Sequence, residues 1–266
     1  LDNELYSQVK GIVKSLLGID LNHYKDEQMK RRLDSWLVRS GSANWKEYKE
    51  RLQQDAKELA RFRDYLTINV TEFFRDKERW QALRTNILPT LLAEVQHSGH
   101  NSNGLRIWSA GCSMGAEPYT LALILNEMAP FLNHKILATD LDRSILTKAR
   151  NGGPYTSEEI QGIEPEKRSS IFQTSEPPYY IKENYKRWIE FREHNLLADS
   201  YEVGFDLIVC RNVVIYFTAA TKLDLYQKFS NALRRNGILF LGATEIIPRP
   251  QDVGFRSHGI SFYIKV

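Results

Sequence analysis

The stretch Leu105–Glu117 (LRIWSAGCSMGAE) constrains this chain more than any other. An apolar run, Leu105–Trp108, enters a turn of small residues, and a helix is predicted to open near Glu117–Tyr119. Farther on, the apolar run ILATD (Ile136–Asp140) ends in an acid. A strand, a close-approach turn, a helix and an acid at the end of the next strand describe a nucleotide-type ligand site at the carboxyl end of a parallel sheet. The turn lets backbone reach the ligand, and Asp140 is placed to accept ribose hydroxyls.

The turn lacks G-x-G-x-x-G, and Glu117 stands in the first turn of the helix. A carboxylate there repels a pyrophosphate, whereas helix N-termini that bind phosphate present only N–H groups and positive field. Glu117 suits a cationic ligand. S-adenosylmethionine carries an ammonium and a sulfonium and no phosphate. GCSMG (Gly111–Gly115) also fits the nucleophile elbow G-x-S-x-G, and Ser113, Asp206 and His258 follow in the chain order of an α/β-hydrolase triad. Against that rival, everything upstream of Leu105 reads as helix, with no Gly-rich stretch to supply a second oxyanion donor. Ser113→Ala separates the two readings, since it abolishes a hydrolase and only dents a methyltransferase.

From Leu105 the pattern alternates strand and helix. Strands are predicted at Leu105–Ser109, Lys135–Thr139, Arg187–Asn195, Phe205–Cys210 and Gly237–Gly242, with helices at Glu117–Met128, Arg143–Arg150 and Ala219–Leu233. Phe255–Val266 reads as a hairpin that closes a parallel sheet with an antiparallel strand. The connection 151–186 is far longer than the roughly two to six residues of an ordinary αβ loop; its prolines, tyrosines and partial alternation predict an inserted β-rich subdomain. Strand four runs into Arg211, Asn212 and Tyr216, and strand three into Asn195, positions that face the ligand crevice in a doubly wound sheet. Asp142 reads as a helix cap, which leaves Asp140 as the ribose acid.

The first 75 residues read as a helical bundle. Leu5, Val9, Ile12, Val13, Leu16 and Leu17 recur near a 3.6 period before Gly18. Tyr24–Arg39 places Met29, Leu33, Trp36 and Leu37 on one face, with Lys25, Arg31, Arg32 and Arg39 forming a basic stripe elsewhere, either a solvated face or a docking surface for an acidic partner. Asn44 is set to cap a helix that buries Trp45, Tyr48, Leu52, Leu59 and Phe62. LTINVTEFFR (Leu66–Arg75) mixes Asn69, Thr71 and Arg75 among apolar neighbours, as either a connector or a polar wall of the ligand site. Asp76–Gln96 returns to helix, and His97–Gly104 is a polar loop.

The whole chain has 266 residues, 42% hydrophobic and 26% charged, and fits a large domain plus a smaller one. No apolar run reaches the roughly 18 residues of a membrane span, and the polar start LDNELYSQVK is unlike a secretory signal. Two cysteines, Cys112 and Cys210, lack metal-ligand spacing and are expected to be reduced thiols in a cytoplasmic protein. No metal site is expected. A net charge of +3 does not argue for nucleic acid, and RNVVIY stands where a nucleic-acid enzyme of the N-P-P-Y kind carries its motif.

Taken together, INVTEFFR (Ile68–Arg75), WSAGCSMGAEPYTLA (Trp108–Ala122), LATDLD (Leu137–Asp142), HNLL (His194–Leu197), DLIVCRNVVIYF (Asp206–Phe217) and GATE (Gly242–Glu245) resemble, in order and over essentially the whole chain, the CheR-type methyltransferases that methylate chemotaxis receptors. The resemblance implies an S-adenosylmethionine-dependent protein-glutamate O-methyltransferase that releases S-adenosylhomocysteine. It implies an α/β class I methyltransferase (Rossmann-like) sheet with an antiparallel C-terminal strand and an inserted β-subdomain at about 151–186, within a domain at 76–266. A helical receptor-docking domain at 1–75 precedes it. By the same resemblance, cofactor contacts fall on Asn69, Thr71, Arg75, Glu117, Asp140, Asn195, Leu196, Arg211 and Asn212, and Arg75 and Tyr216 attend the substrate carboxylate. The basic helix with Lys25, Arg31, Arg32 and Arg39 corresponds to the family's surface for acidic receptor methylation helices. A monomer acting on the cytoplasmic domains of receptors, without membrane insertion, is expected.

Overall fold

A computed structural model describes residues 1–67, 71–97 and 104–266. The chain divides into two compact units, Leu1–Ile68 with Ile215–Leu223, and Asn69–Val214 with Asp224–Val266.

The first unit is built on α1 (Asn3–Leu17), α2 (Asp26–Ser40), α3 (Trp45–Gln54) and α4 (Ala56–Leu66). Their ends follow local chemistry. Asp2, Asn44 and Asp55 cap α1, α3 and α4 through side-chain oxygens, and Gly18 and Gly41 end α1 and α2 in the left-handed conformation that only glycine adopts cheaply. The core is aromatic. Phe62 stacks on Trp36 at 5.7 Å and meets Tyr48 edge-on at 5.5 Å. Glu58 is buried here, accepting the Tyr48 hydroxyl at 3.1 Å and pairing with Arg51 and Arg61. Residues 215–223 join this unit through Lys25 N–H donating to the Tyr216 carbonyl, Thr218 N–H donating to His23 carbonyl, and an edge contact of Tyr24 with Phe217.

The second unit holds α5 (Lys77–Ala82), α6 (Leu88–His97), β1 (Arg106–Ala110), α7 (Ala116–Met128), β2 (Lys135–Asp140), α8 (Arg143–Asn151), α9 (Pro165–Ile171), β3 (Ile189–Glu193), β4 (Phe205–Cys210), β5 (Leu233–Leu241), β6 (Phe255–Ser257) and β7 (Phe262–Lys265); α10 (Ala219–Ala232) leads into β5. The sheet order is β3-β2-β1-β4-β5-β7-β6. Neighbours from β3 to β5 are parallel, and β7 is antiparallel to β5 and β6. The expected mixed sheet and terminal hairpin are therefore present. Strand order reverses between β1 and β4, which opens a crevice beyond their carboxyl ends.

Three elements depart from the sequence reading. The one helix expected from the Asn44 cap through Phe62 breaks at Asp55, which ends α3 and caps α4, and Leu59 is only half-buried. The single helix expected over 76–96 is interrupted by a π turn, Leu83–Ile87. Pro89 follows directly and has no N–H to offer the Thr85 carbonyl. The segment 151–186, read as β-rich, contains α9 and two isolated β-bridges, Tyr155–Tyr179 and Phe172–Ile181. Its apolar residues pack on one another and on the elements beside them. Tyr155, Ile160, Phe172 and Ile181 pack with Phe73, Met114 and Tyr119, so the insert buttresses α7 and the turn before it.

Candidate active site

The turn after β1 is held from three sides. Gly111 and Cys112 N–H groups both donate to the Thr139 carbonyl at 2.8 Å, Ser113 N–H donates to Asp140 Oδ2 at 2.8 Å, and the Tyr155 hydroxyl donates to the Met114 carbonyl at 2.9 Å. Gly111 has φ +80°, and a Cβ there would lie 2.5 Å from Val213 Cγ2. Ser113, at φ +48°, takes the left-handed conformation despite its side chain. The turn thus carries Ser113 as a backbone donor. Asp206 lies at the opposite, amino-terminal end of the sheet, where it accepts from Arg106 N–H and pairs with Arg234 at 2.5 Å. Ser113 and Asp206 therefore cannot form a triad, and the hydrolase alternative falls.

Glu117 and Asp140 flank this turn. Ser109 hydroxyl donates to Glu117 Oε1 at 2.7 Å. Burial pushes the Glu117 carboxyl from its ordinary 4.5 up to about 7, against the pull of Arg211. Asp140 accepts Ser113 N–H on one oxygen and Asp142 N–H, at 3.0 Å, on the other. Burial raises it to about 6, with those N–H groups opposing. Asp142 does cap α8, accepting Ser144 and Ile145 N–H, as the sequence suggests.

Two half-buried carboxylates, each raised by desolvation, thus stand on either side of the turn. That environment rejects a phosphate and fits a cationic ligand such as S-adenosylmethionine.

The other expected contacts are placed less uniformly. Asn195 is half-buried beyond β3, and its Oδ1 accepts Leu197 N–H at 2.9 Å, so the side chain already shapes its own turn. Leu196 is buried, and its carbonyl accepts the Tyr201 hydroxyl. Thr71 is half-buried. Asn69 lies outside the described residues. Arg211 is buried, with its guanidinium 5.0 Å from the Trp80 ring and 4.9 Å from Phe240. Its Nη2 donates to the Arg75 carbonyl at 2.8 Å and to Asp76 Oδ2 at 2.7 Å. Arg211 therefore clasps the Phe73–Asp76 strap, in which Phe74 and Asp76 both have positive φ. The strap is also pinned by Phe73 N–H on the Glu159 carbonyl and Phe74 N–H on Thr120 Oγ1. Asn212, at φ +60°, donates its N–H to Glu245 Oε2 at 2.8 Å.

In the first unit, Tyr216 ends a short 3-10 turn after β4 and not the strand itself. Lys25, Arg31 and Arg39 are exposed. Arg32 is half-buried, donates to the Tyr65 carbonyl, and lies 4.3 Å from the Tyr65 ring. The stripe read as uniform is thus three exposed cations, of which Arg39 also lies 5.4 Å from the Tyr65 ring, and one half-buried arginine. Sequence reasoning passed over Ser109 and Asp76, and it quoted Glu245 within a motif without a role. A short polar residue in a strand and an acid beside an arginine give no signal until folding brings their partners.

A doubly wound sheet with a phosphate-averse, carboxylate-flanked turn at its switch point defines a class I S-adenosylmethionine-dependent methyltransferase. Residues 69–262 match the CheR methyltransferase SAM binding domain, and residues 4–67 match the CheR methyltransferase all-alpha domain. The chain belongs to the CheR methyltransferase family. It is 44% identical over 254 residues to a chemotaxis protein methyltransferase of Listeria monocytogenes, covering 96% of this chain and 94% of that one. Over 256 residues it is 31% identical to the chemotaxis protein methyltransferase of Escherichia coli, covering 92% and 85%. Among solved structures, the DszA carbon methyltransferase is similar over 71% of this chain and 53% of that one, with 14% identity and a TM-score of 0.45. No described helix is long and apolar enough to cross a membrane.

Proposed function

We propose that this enzyme esterifies glutamate side chains on the cytoplasmic helices of chemotaxis receptors. It does so as a cytoplasmic monomer, with a helical docking domain followed by a catalytic domain that begins near residue 69. The observation that carries the reading is the half-buried Glu117 carboxylate at the first turn of α7, raised to about 7 by desolvation beside the glycine turn. It supports a cationic cofactor, and the two-domain family match supports the substrate. Exposed Lys25, Arg31 and Arg39 offer an acidic helix its counter-charges.

Bound S-adenosylmethionine supplies an electrophilic methyl group on a sulfonium. Glu117 and Asp140 would hold its ammonium and ribose ends, with Thr71, Asn195, Leu196, Arg211 and Asn212 lining the cofactor; the family resemblance adds Asn69, which lies outside the described residues. A glutamate with a pKa near 4.3 is already ionised at neutral pH, so no residue of the chain need remove a proton. The protein's task is to orient the carboxylate and exclude water. Arg75 orients that carboxylate, and the Tyr216 hydroxyl donates to it more gently than a second cation, which would quench the nucleophile.

The test is transfer of labelled methyl to a receptor cytoplasmic fragment. Base-labile label on glutamate is expected, and Arg75→Ala and Tyr216→Phe should each lower transfer by roughly 10²-fold, the scale of a misplaced reactant, with unchanged melting. Label on amine or nucleic acid, or full activity in both variants, would overturn the reading.

A further inference from the structure

Glu245 is an acid with no task in the chemistry above, yet it is 2% exposed and hydrogen-bonded to Asn212. One oxygen, Oε2, accepts two backbone donors, Asn212 N–H at 2.8 Å and Gly242 N–H at 2.7 Å. These amides lie just past the ends of β4 and β5, two parallel neighbours whose ladder stops at Cys210–Leu241. The carboxylate thus continues the ladder by one rung, in place of a backbone carbonyl. The fit is tight. A Cβ on Gly242 would stand 2.6 Å from Glu245 Oε2 and 3.0 Å from Asn212 N. Asn212 holds a left-handed conformation at φ +60°, a region that asparagine enters more readily than other non-glycine residues.

We propose that Glu245 is a positioning residue for cofactor binding: by tying Asn212 to Gly242 it holds the Arg211–Asn212 wall in the shape that receives S-adenosylmethionine. A carboxylate accepting two N–H bonds is stronger and more directional than a neutral acceptor. An ordinary loop in this place would leave both amides to water. Glu245 also acts at a distance. Glu117 is faced by the Ser109 hydroxyl from β1, by Arg211 beyond β4 and by Glu245 beyond β5, and the charge of Glu245 contributes to raising its pKa. This inference rests on the reading that Asn212 and its neighbours hold the cofactor.

Calorimetry with S-adenosylhomocysteine on the full chain separates the possibilities. Asn212→Ala removes that side chain and keeps its N–H bond to Glu245. An unchanged affinity there refutes the cofactor reading itself. Given weakened binding in Asn212→Ala, Glu245→Ala is expected to weaken affinity at least tenfold, while Glu245→Gln, which keeps an acceptor oxygen, stays within threefold of the parent. Both should also move the pH midpoint of binding downward, because a charge that raises Glu117 is gone; a purely structural brace would leave that midpoint unmoved. If Glu245→Ala does not fold, Gly242→Ala, which pushes the clasp apart, should weaken binding tenfold with a cooperative melt. Parent-like affinity in Glu245→Ala or Gly242→Ala, equal loss in the Gln and Ala variants, or an unmoved midpoint overturns the proposal.

Discussion

Cofactor affinity should depend steeply on pH through Glu117. Its carboxyl, raised from 4.5 to about 7 by burial, is about 90% protonated at pH 6 and half protonated at pH 7. Only the carboxylate attracts the cofactor's ammonium, so binding at pH 6 should expel about 0.9 proton from this group. Asp140, raised to about 6, should release about half a proton more. From Glu117 alone, affinity for S-adenosylhomocysteine should rise about fivefold between pH 6 and 7, and about 16-fold from pH 5.5. This window lies below the ligand's own α-amino titration near 7.7. Calorimetry in buffers of different ionisation enthalpy counts the protons directly. Glu117→Gln should cut release at pH 6 from about 1.4 to about 0.5 proton, leaving the share of Asp140. The ligand-free protein gives the opposite sign. A carboxyl whose folded pKa exceeds its unfolded value contributes stability that is full below 4.5 and is lost as pH rises through about 7; the loss is about 3 kcal/mol, and Glu117→Gln should remove it. Proton release near zero in the parent, or release unchanged in Glu117→Gln, would refute the reasoning.

Two further substitutions probe the strap beside the site. Asp76→Ala removes the carboxylate partner of the buried Arg211, whose Nε already has no hydrogen-bond partner among the described residues; it should cost about 1.5–3 kcal/mol in denaturant unfolding and weaken S-adenosylhomocysteine binding, and a parent-like midpoint would show that the clasp does nothing. Gly162→Ala would place a Cβ 1.8 Å from the Phe73 carbonyl oxygen. The strap must move, so a loss of about 1–3 kcal/mol and reduced methyl transfer are expected, while unchanged melting and transfer would mean that the strap position is immaterial.

The local sequence determined much of this protein. Alternating apolar runs and small-residue turns specify a parallel sheet, because strand period, helix period and turn chemistry are all short-range properties. The caps Asp142 and Asn44 and the stops Gly18 and Gly41 are equally local, and each is observed. The chemical identity of Glu117 was enough to prefer a cation over a phosphate. What the tertiary structure decided are pairings across long separations. Arg211 meets Asp76 across 135 residues, and Glu245 meets Asn212 across 33. No periodicity encodes such contacts, since they depend on which strand ends become neighbours. The same holds for the tyrosines of the insert, whose alternation resembles strands; their rings are buried because α7 and the glycine turn need a wall there, and burial overrode the local pattern. Burial also decided the charge state of Glu117. An acid in a sequence carries its ordinary pKa, and only the fold withdraws the water that would keep it there.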